Sequence, residues 1–205
     1  MYVQKCVKGI AGRTSSTPHG LTWSEACDLL TTNRGLLSNW WRTKDTITPE
    51  EVADVLNETR LSQHLHDYDL VKDHTPFISL AAGAVERDRI ARSNVVYSAI
   101  DTALLFATDN WATPGALFYC WVPTALNKAV ALQAVAESVR DLLIYRTWSP
   151  YQLEGELAAK VHIPSNQIER VEWWDGSQDT AGPVRTFKNP NYMDPAPVTN
   201  LRELF

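Results

Sequence analysis

The chain has 205 residues, 44% of them hydrophobic and 21% charged, with a formal net charge of −5. That length holds one ample domain and buries a core without disulfide or metal staples. The negative balance argues against a broad electrostatic grip on nucleic acid, whose binders show a basic surface. No stretch nears the ~18–20 apolar residues of a membrane span. The opening segment "MYVQKCVKG" lacks the apolar run of a signal peptide. The expectation is a soluble protein with no membrane partner. Cys6, Cys27 and Cys120 are odd in number and widely spaced, which fits buried or free thiols in a reducing compartment and offers no metal or disulfide framework.

In chain order, "MYVQKCVKG" alternates Val3, Lys5 and Val7 against Tyr2, Gln4 and Cys6, and predicts a first strand. Thr22 with Glu25 three residues on is a capping-box signal for a helix. In "TPEEVADVLNETRL" the signal is stronger. Thr48 is the cap, Pro49 takes the first helical position, Glu51 closes the box, and Val52, Val55 and Leu56 share a face. "HTPFISLAAG" predicts a strand entered by Pro76 and closed by Gly83, and the charged "AVERDRIARSN" a loop or exposed helical turn.

Ala99, Ala103, Phe106 and Ala107 then stand at helical spacing, and "ALFYCWV" predicts an aromatic strand ended by Pro123. Thr124 caps an expected long helix with Leu132, Val135, Val139 and Leu142 as its stripe. "YQLEGELAAKVHIPSNQI" predicts a strand, a turn follows at Pro164, and "IERVEWW" is the last strand. From Gly176 onward Gly, Pro, Asn and Asp predict a mostly irregular tail. Helices and strands in this order, without the Gly-rich turns of a dinucleotide-binding sheet, indicate an α+β protein. The expected organisation is one domain over 1–175, with 176–205 packed on it or extending from it.

Three features could carry chemistry. Glu154 and Glu156 straddle Gly155 where the strand begins. Two residues apart on a strand, their side chains share a face about 7 Å from one another. Such a pair is a solvated edge, or it divides labour between stabilising a cation and activating a nucleophile. Ser79 sits in the otherwise apolar "TPFISL", either as a small core filler or as a hydroxyl that holds a carboxylate. "HLHDYD" offers His64, His66, Asp67 and Asp69, which read as a polar loop after a helix, a metal site needing a third convergent ligand. No metal is expected.

The order "TPFISL", "DTALLFAT", "GALFYCWV", "EGELAAKVHIPSNQI" resembles the mono-ADP-ribosyltransferase family of toxins and effectors, over about residues 75–174. The resemblance implies a mixed split β-sheet core with flanking helices and transfer of ADP-ribose from NAD to a macromolecular acceptor, a protein in preference to a nucleic acid. In the family's terms the catalytic glutamate falls on Glu156 and its partner on Glu154, with Ser79 at the serine position. The frame "QLE" would instead make Glu154 catalytic and Gln152 its partner. Phe77 and Thr75 would line the NAD site. The family's first-strand arginine has no counterpart here, so Lys5 or Lys8, or Arg13 or Arg34 from nearby, would have to grip the phosphates. A toxin would act in a target cytoplasm and can have an immunity or antitoxin partner. Two other outcomes are an NAD glycohydrolase of the same fold and a non-catalytic module binding a partner through Trp40, Trp41, Trp173 and Trp174.

Overall fold

The computed structural model describes residues 2–32, 34–81, 85–86, 96–97, 99–124, 156–179 and 181–195. The expected loop of 84–94 (but for 85–86), the long helix after Thr124, and Glu154 with Gly155 lie outside them.

The centre is an antiparallel sheet of strands β1 (Tyr2–Ala11), β3 (Phe77–Ala81), β6 (Gly115–Thr124), β7 (Glu156–Lys160), β9 (Ile168–Trp174) and β10 (Arg185–Lys188). Its order is β10-β9-β6-β1-β3-β7. Short pairs join β2 (Leu36–Leu37) to β8 (His162–Ile163) and β4 (Val85–Glu86) to β5 (Val96–Tyr97). The helices are α1 (Trp23–Thr31), α2 (Asn39–Arg42), α3 (Pro49–Val55), α4 (Glu58–His66), α5 (Tyr68–Val71) and α6 (Ala99–Ala107). This is a mixed α/β fold with a multi-stranded antiparallel sheet and flanking helices.

Both predicted capping boxes are formed. Thr22 and Glu25 start α1, and Thr48 and Glu51, with Pro49 inside, start α3. The second helix stops earlier than its pattern predicts, because Asn57 accepts from the Arg60 amide and caps α4 as a separate helix. "ALFYCWV" forms a longer strand than predicted, running through Pro123 to Thr124. The register explains the tolerance. Strand β9 pairs with β6 only as far as Cys120↔Ile168, so at Pro123 β6 has β1 alone as its neighbour and a missing N–H costs little. In the tail, Arg185–Lys188 adds the edge strand β10 that turn-rich composition hid.

One face of the sheet is closed by α1. Leu30 and Ala26 pack there on Ile78, Leu80, Phe118, Leu157, Ile168 and Val171. Cys6 and Cys120 are directly opposed on β1 and β6 in this layer, both reduced, with sulfurs 3.6 Å apart. The Cys120 hydrogen bond and burial raise the Cys6 thiol above its ordinary range.

On the other face α6 covers Val7, Ala81 and Leu117, and α3 with α4 covers Phe77 and Ala158. Helix α6 comes very close because its inward positions are Ala103 and Ala107, one turn apart, and the sheet answers with glycines. A Cβ on Gly9 would lie 2.1 Å from the Ala103 carbonyl oxygen, and one on Gly115 2.2 Å from that of Ala107. A backbone oxygen inside a helix cannot move aside alone. Gly9→Ala is therefore expected to push α6 off the sheet and destabilise the protein by about 1–3 kcal/mol. An unchanged urea midpoint would show that the approach is looser than this.

Candidate functional site

The cavity on that second face lies where the sheet opens. Among the described residues β1 and β3 are joined at one register, Val7↔Ala81, whereas β3 and β7 pair from Phe77↔Lys160 to Ala81↔Glu156. Val7, Lys8 and Gly9 of β1 and Ser79, Leu80 and Ala81 of β3 form its floor. Its walls are His64, Leu65 and Tyr68 on one side and Thr102, Ala103 and Phe106 on the other, around a volume of about 270 Å³. Tyr68 and Phe106 remain 41% and 53% exposed, so two aromatic rings stand at the rim. Phe106, expected on the inward stripe of α6, thus lies on its open side.

Ser79 is half-buried in the floor. Alternation along β3 sends Ile78 and Leu80 to the α1 side and leaves Phe77, Ser79 and Ala81 on the cavity side. Its Oγ lies 2.9 Å from His64 Nε2, and His64 Nδ1 lies 2.8 Å from Thr75 Oγ1. His64 is 2% exposed, with the Tyr68 ring 5.5 Å and the Phe77 ring 5.6 Å away, centre to centre. The stretch "HLHDYD" is thus helical, not a polar loop: His64 closes the buried side of α4. Its signal was the spacing Leu61, His64, Leu65, which puts the histidine on the apolar face of α4. Among the described residues no three His, Cys, Asp or Glu side chains converge as a metal site.

The other expected positions are spread more widely. Of Glu156 the structure describes the backbone. It pairs with Ala81 while Ala158 pairs with Ser79, so Glu156 has the parity of Ser79 on the neighbouring strand. Thr75 is buried behind His64 and outside the cavity lining, and Phe77 is 2% exposed within the α3–α4 layer. Lys8 borders the cavity, but its register partner Phe118 lies in the α1 layer, so alternation turns its side chain to that face; Lys5, outside the lining, shares the cavity-side parity of Val7. Arg13 is held at a surface corner by Glu25 at 2.7 Å and by the Gly20 carbonyl at 3.1 Å. Arg34, on the loop before β2, gives its carbonyl to His162.

The four tryptophans expected at an interface each make packing contacts, Trp41, Trp173 and Trp174 while half-buried. Trp40 is buried, Trp41 meets the His162 ring at 5.4 Å, Trp173 meets Trp23 edge-on at 6.3 Å, and Trp174 meets Trp111 at 6.2 Å.

Alternation in β7 sends Leu157 and Ala159 to the α1 side, as expected, but its other face is not solvated. Ala158 is fully buried under α3 and α4. Lys160 follows on that face, and burial lowers its pKa from 10.5 to about 8, with no ion-pair partner among the described residues. A depressed lysine pKa means the folded state resists the charge. That cost is full below pH 8 and fades as pH rises toward 10.5, where the unfolded chain also loses the proton. Lys160→Met is expected to raise the urea midpoint at pH 7 and to raise it much less at pH 10. An equal gain at both values would contradict the assignment.

A second polar cluster is closed on itself. Arg170 lies 3.6 Å over the Tyr119 ring and bonds Glu172 and Glu169, while Tyr119 donates to Glu172 at 2.8 Å. Burial and the Glu172 carboxylate push the Tyr119 pKa far up, which keeps the phenol a donor.

No known family model and no curated protein matches this chain. Among the described residues no helix is long and apolar enough to cross a membrane.

Proposed function

We propose that this protein cleaves NAD at the nicotinamide–ribose bond and transfers ADP-ribose to a protein acceptor, as a divergent enzyme of the mono-ADP-ribosyltransferase kind with that family's split sheet. One observation carries the reading. The strand of Ser79 lies between the strand of Lys5 and the strand that begins at Glu156, and the cavity opens at the seam between the first two. The resemblance requires the cation, the serine and the glutamate to meet across adjacent strands, although Ser79 follows Lys5 by 74 positions and Glu156 follows Ser79 by 77.

A volume of about 270 Å³ is at the small end for ligand cavities and suits the nicotinamide–ribose end rather than a whole dinucleotide. Tyr68 and Phe106 offer faces to its flat ring, a role the buried Phe77 is not placed to fill. Lys5, which shares the parity of Val7 on the cavity side of β1, supplies positive charge toward the phosphates. As the C1′–N bond breaks, nicotinamide leaves with the bonding pair and the ribose gains oxocarbenium character. Glu156 stabilises that cation, and Ser79 orients Glu156 by hydrogen bonding. An acceptor lone pair then forms the new bond to C1′, and its proton passes to Glu154.

The test is nicotinamide release from NAD by the purified protein, alone and with cell lysate. Release only with lysate, together with labelled protein, supports transfer. Release with free ADP-ribose as product assigns the glycohydrolase instead. No release in either, and no thermal shift with NAD, would overturn the proposal in favour of a binding module.

A further inference from the structure

A serine hydroxyl has one proton, and its direction decides whether Ser79 acts as a donor into the cavity or as a nucleophile activated by His64. The neighbouring threonine settles the direction. Thr75 is 3% exposed, out of reach of solvent, and its Oγ1 has two partners: the Phe77 amide at 3.4 Å and His64 Nδ1 at 2.8 Å. The amide can only donate. The Thr75 proton therefore has His64 Nδ1 as its one acceptor, and the opposite tautomer would leave a buried hydroxyl proton unbonded, costing on the order of 1–3 kcal/mol.

With Nδ1 accepting, the neutral ring carries its proton on Nε2, which donates to Ser79 Oγ at 2.9 Å. Ser79 receives that bond, and its own O–H is directed to whatever oxygen the cavity holds. We propose that His64 is a positioning residue: with Thr75 behind it, it fixes Ser79 as a hydrogen-bond donor to an anionic oxygen in the cavity. Taking that oxygen as the Glu156 carboxylate rests on the proposed function; the direction of the relay does not. The same geometry argues against a serine-nucleophile hydrolase, which needs Nε2 to accept the serine proton.

The test is the ring-nitrogen spectrum of His64 in the ¹⁵N-labelled protein, assigned by comparison with His64→Gln. The expected wild-type result is a proton on Nε2 and a bare Nδ1. In Thr75→Val, which keeps the shape and removes the hydroxyl, the tautomers are expected to mix. The maximal rate of nicotinamide release is expected to fall about tenfold, with the KM for NAD little changed. His64→Gln, whose amide can still donate to Ser79, is expected to retain more activity than His64→Leu. A wild-type ring protonated on Nδ1 alone, with Nε2 bare, would overturn the relay whether or not NAD is cleaved. A ring protonated on Nε2 in a protein that does not cleave NAD would overturn the functional reading and leave the relay supported.

Discussion

Glu156→Gln is expected to lower nicotinamide release by about 10²–10³-fold, corresponding to about 2.7–4 kcal/mol in the barrier. The substitution keeps the size of the side chain, replaces one acceptor oxygen by an NH2 donor, and removes the negative charge proposed to face the developing oxocarbenium ion. An effect of this kind falls on the rate rather than on the KM, because ground-state NAD carries little of that charge at the ribose. Glu154→Gln separates the two reading frames of "QLEGE". With Glu156 as the stabilising carboxylate, the Glu154 variant should still release nicotinamide to water but lose transfer to protein. Collapse of both activities in Glu154→Gln, with Glu156→Gln active, would move the catalytic role to Glu154. Ser79→Ala serves as the intermediate case, since it would remove the hydrogen bond proposed to orient the carboxylate and leave the charge.

What the sequence made legible follows from where each signal originates. The capping boxes at Thr22 and Thr48 are local chemistry between residues three apart, and both formed as read. The alternation of Leu157 and Ala159 is local too, and it gave the correct core side of β7. The other side stayed open between a solvated face and a catalytic wall, because Ala158 is small and its neighbours Glu156 and Lys160 are charged. That α3 and α4 lie over this face is a tertiary fact that no period of two encodes.

The same limit hid the centre of the site. Ser79 stood out because a hydroxyl interrupts an apolar strand, but its partner His64 is fifteen residues upstream on a different helix. Read beside His66 and two aspartates, His64 suggested a polar loop or metal ligand. Read with Leu61 and Leu65, it is the polar member of the inward face of α4. Thr75 and Phe77 were expected to line the site and are instead placed behind it. Phe77 shares the face of Ser79, but α3 and α4 lie over its end of the strand, and those helices are remote from it in sequence.

Phe118→Ala is expected to destabilise the protein by about 3–5 kcal/mol. Phe118 is fully buried at the middle of β6, opposite Lys8 on β1 and Val171 on β9, in the layer closed by α1. Strands flank it on both sides and a helix lies above it, so little can move in to fill the space left by the ring. Against the ~5–15 kcal/mol that holds a typical domain together, that loss is large enough to shift the urea midpoint strongly with an unchanged slope. Phe118→Leu, which fills most of the volume, should cost less than about 2 kcal/mol. Because the ring belongs to the α1 side of the sheet and the cavity to the α6 side, the two effects should separate. Below its unfolding transition, Phe118→Ala should keep the per-molecule rate of nicotinamide release, whereas Glu156→Gln should lose the rate and keep the midpoint. A Phe118 variant that stays folded but is inactive would mean that the two faces of the sheet are mechanically coupled, and the cavity would then have to be understood as part of the core.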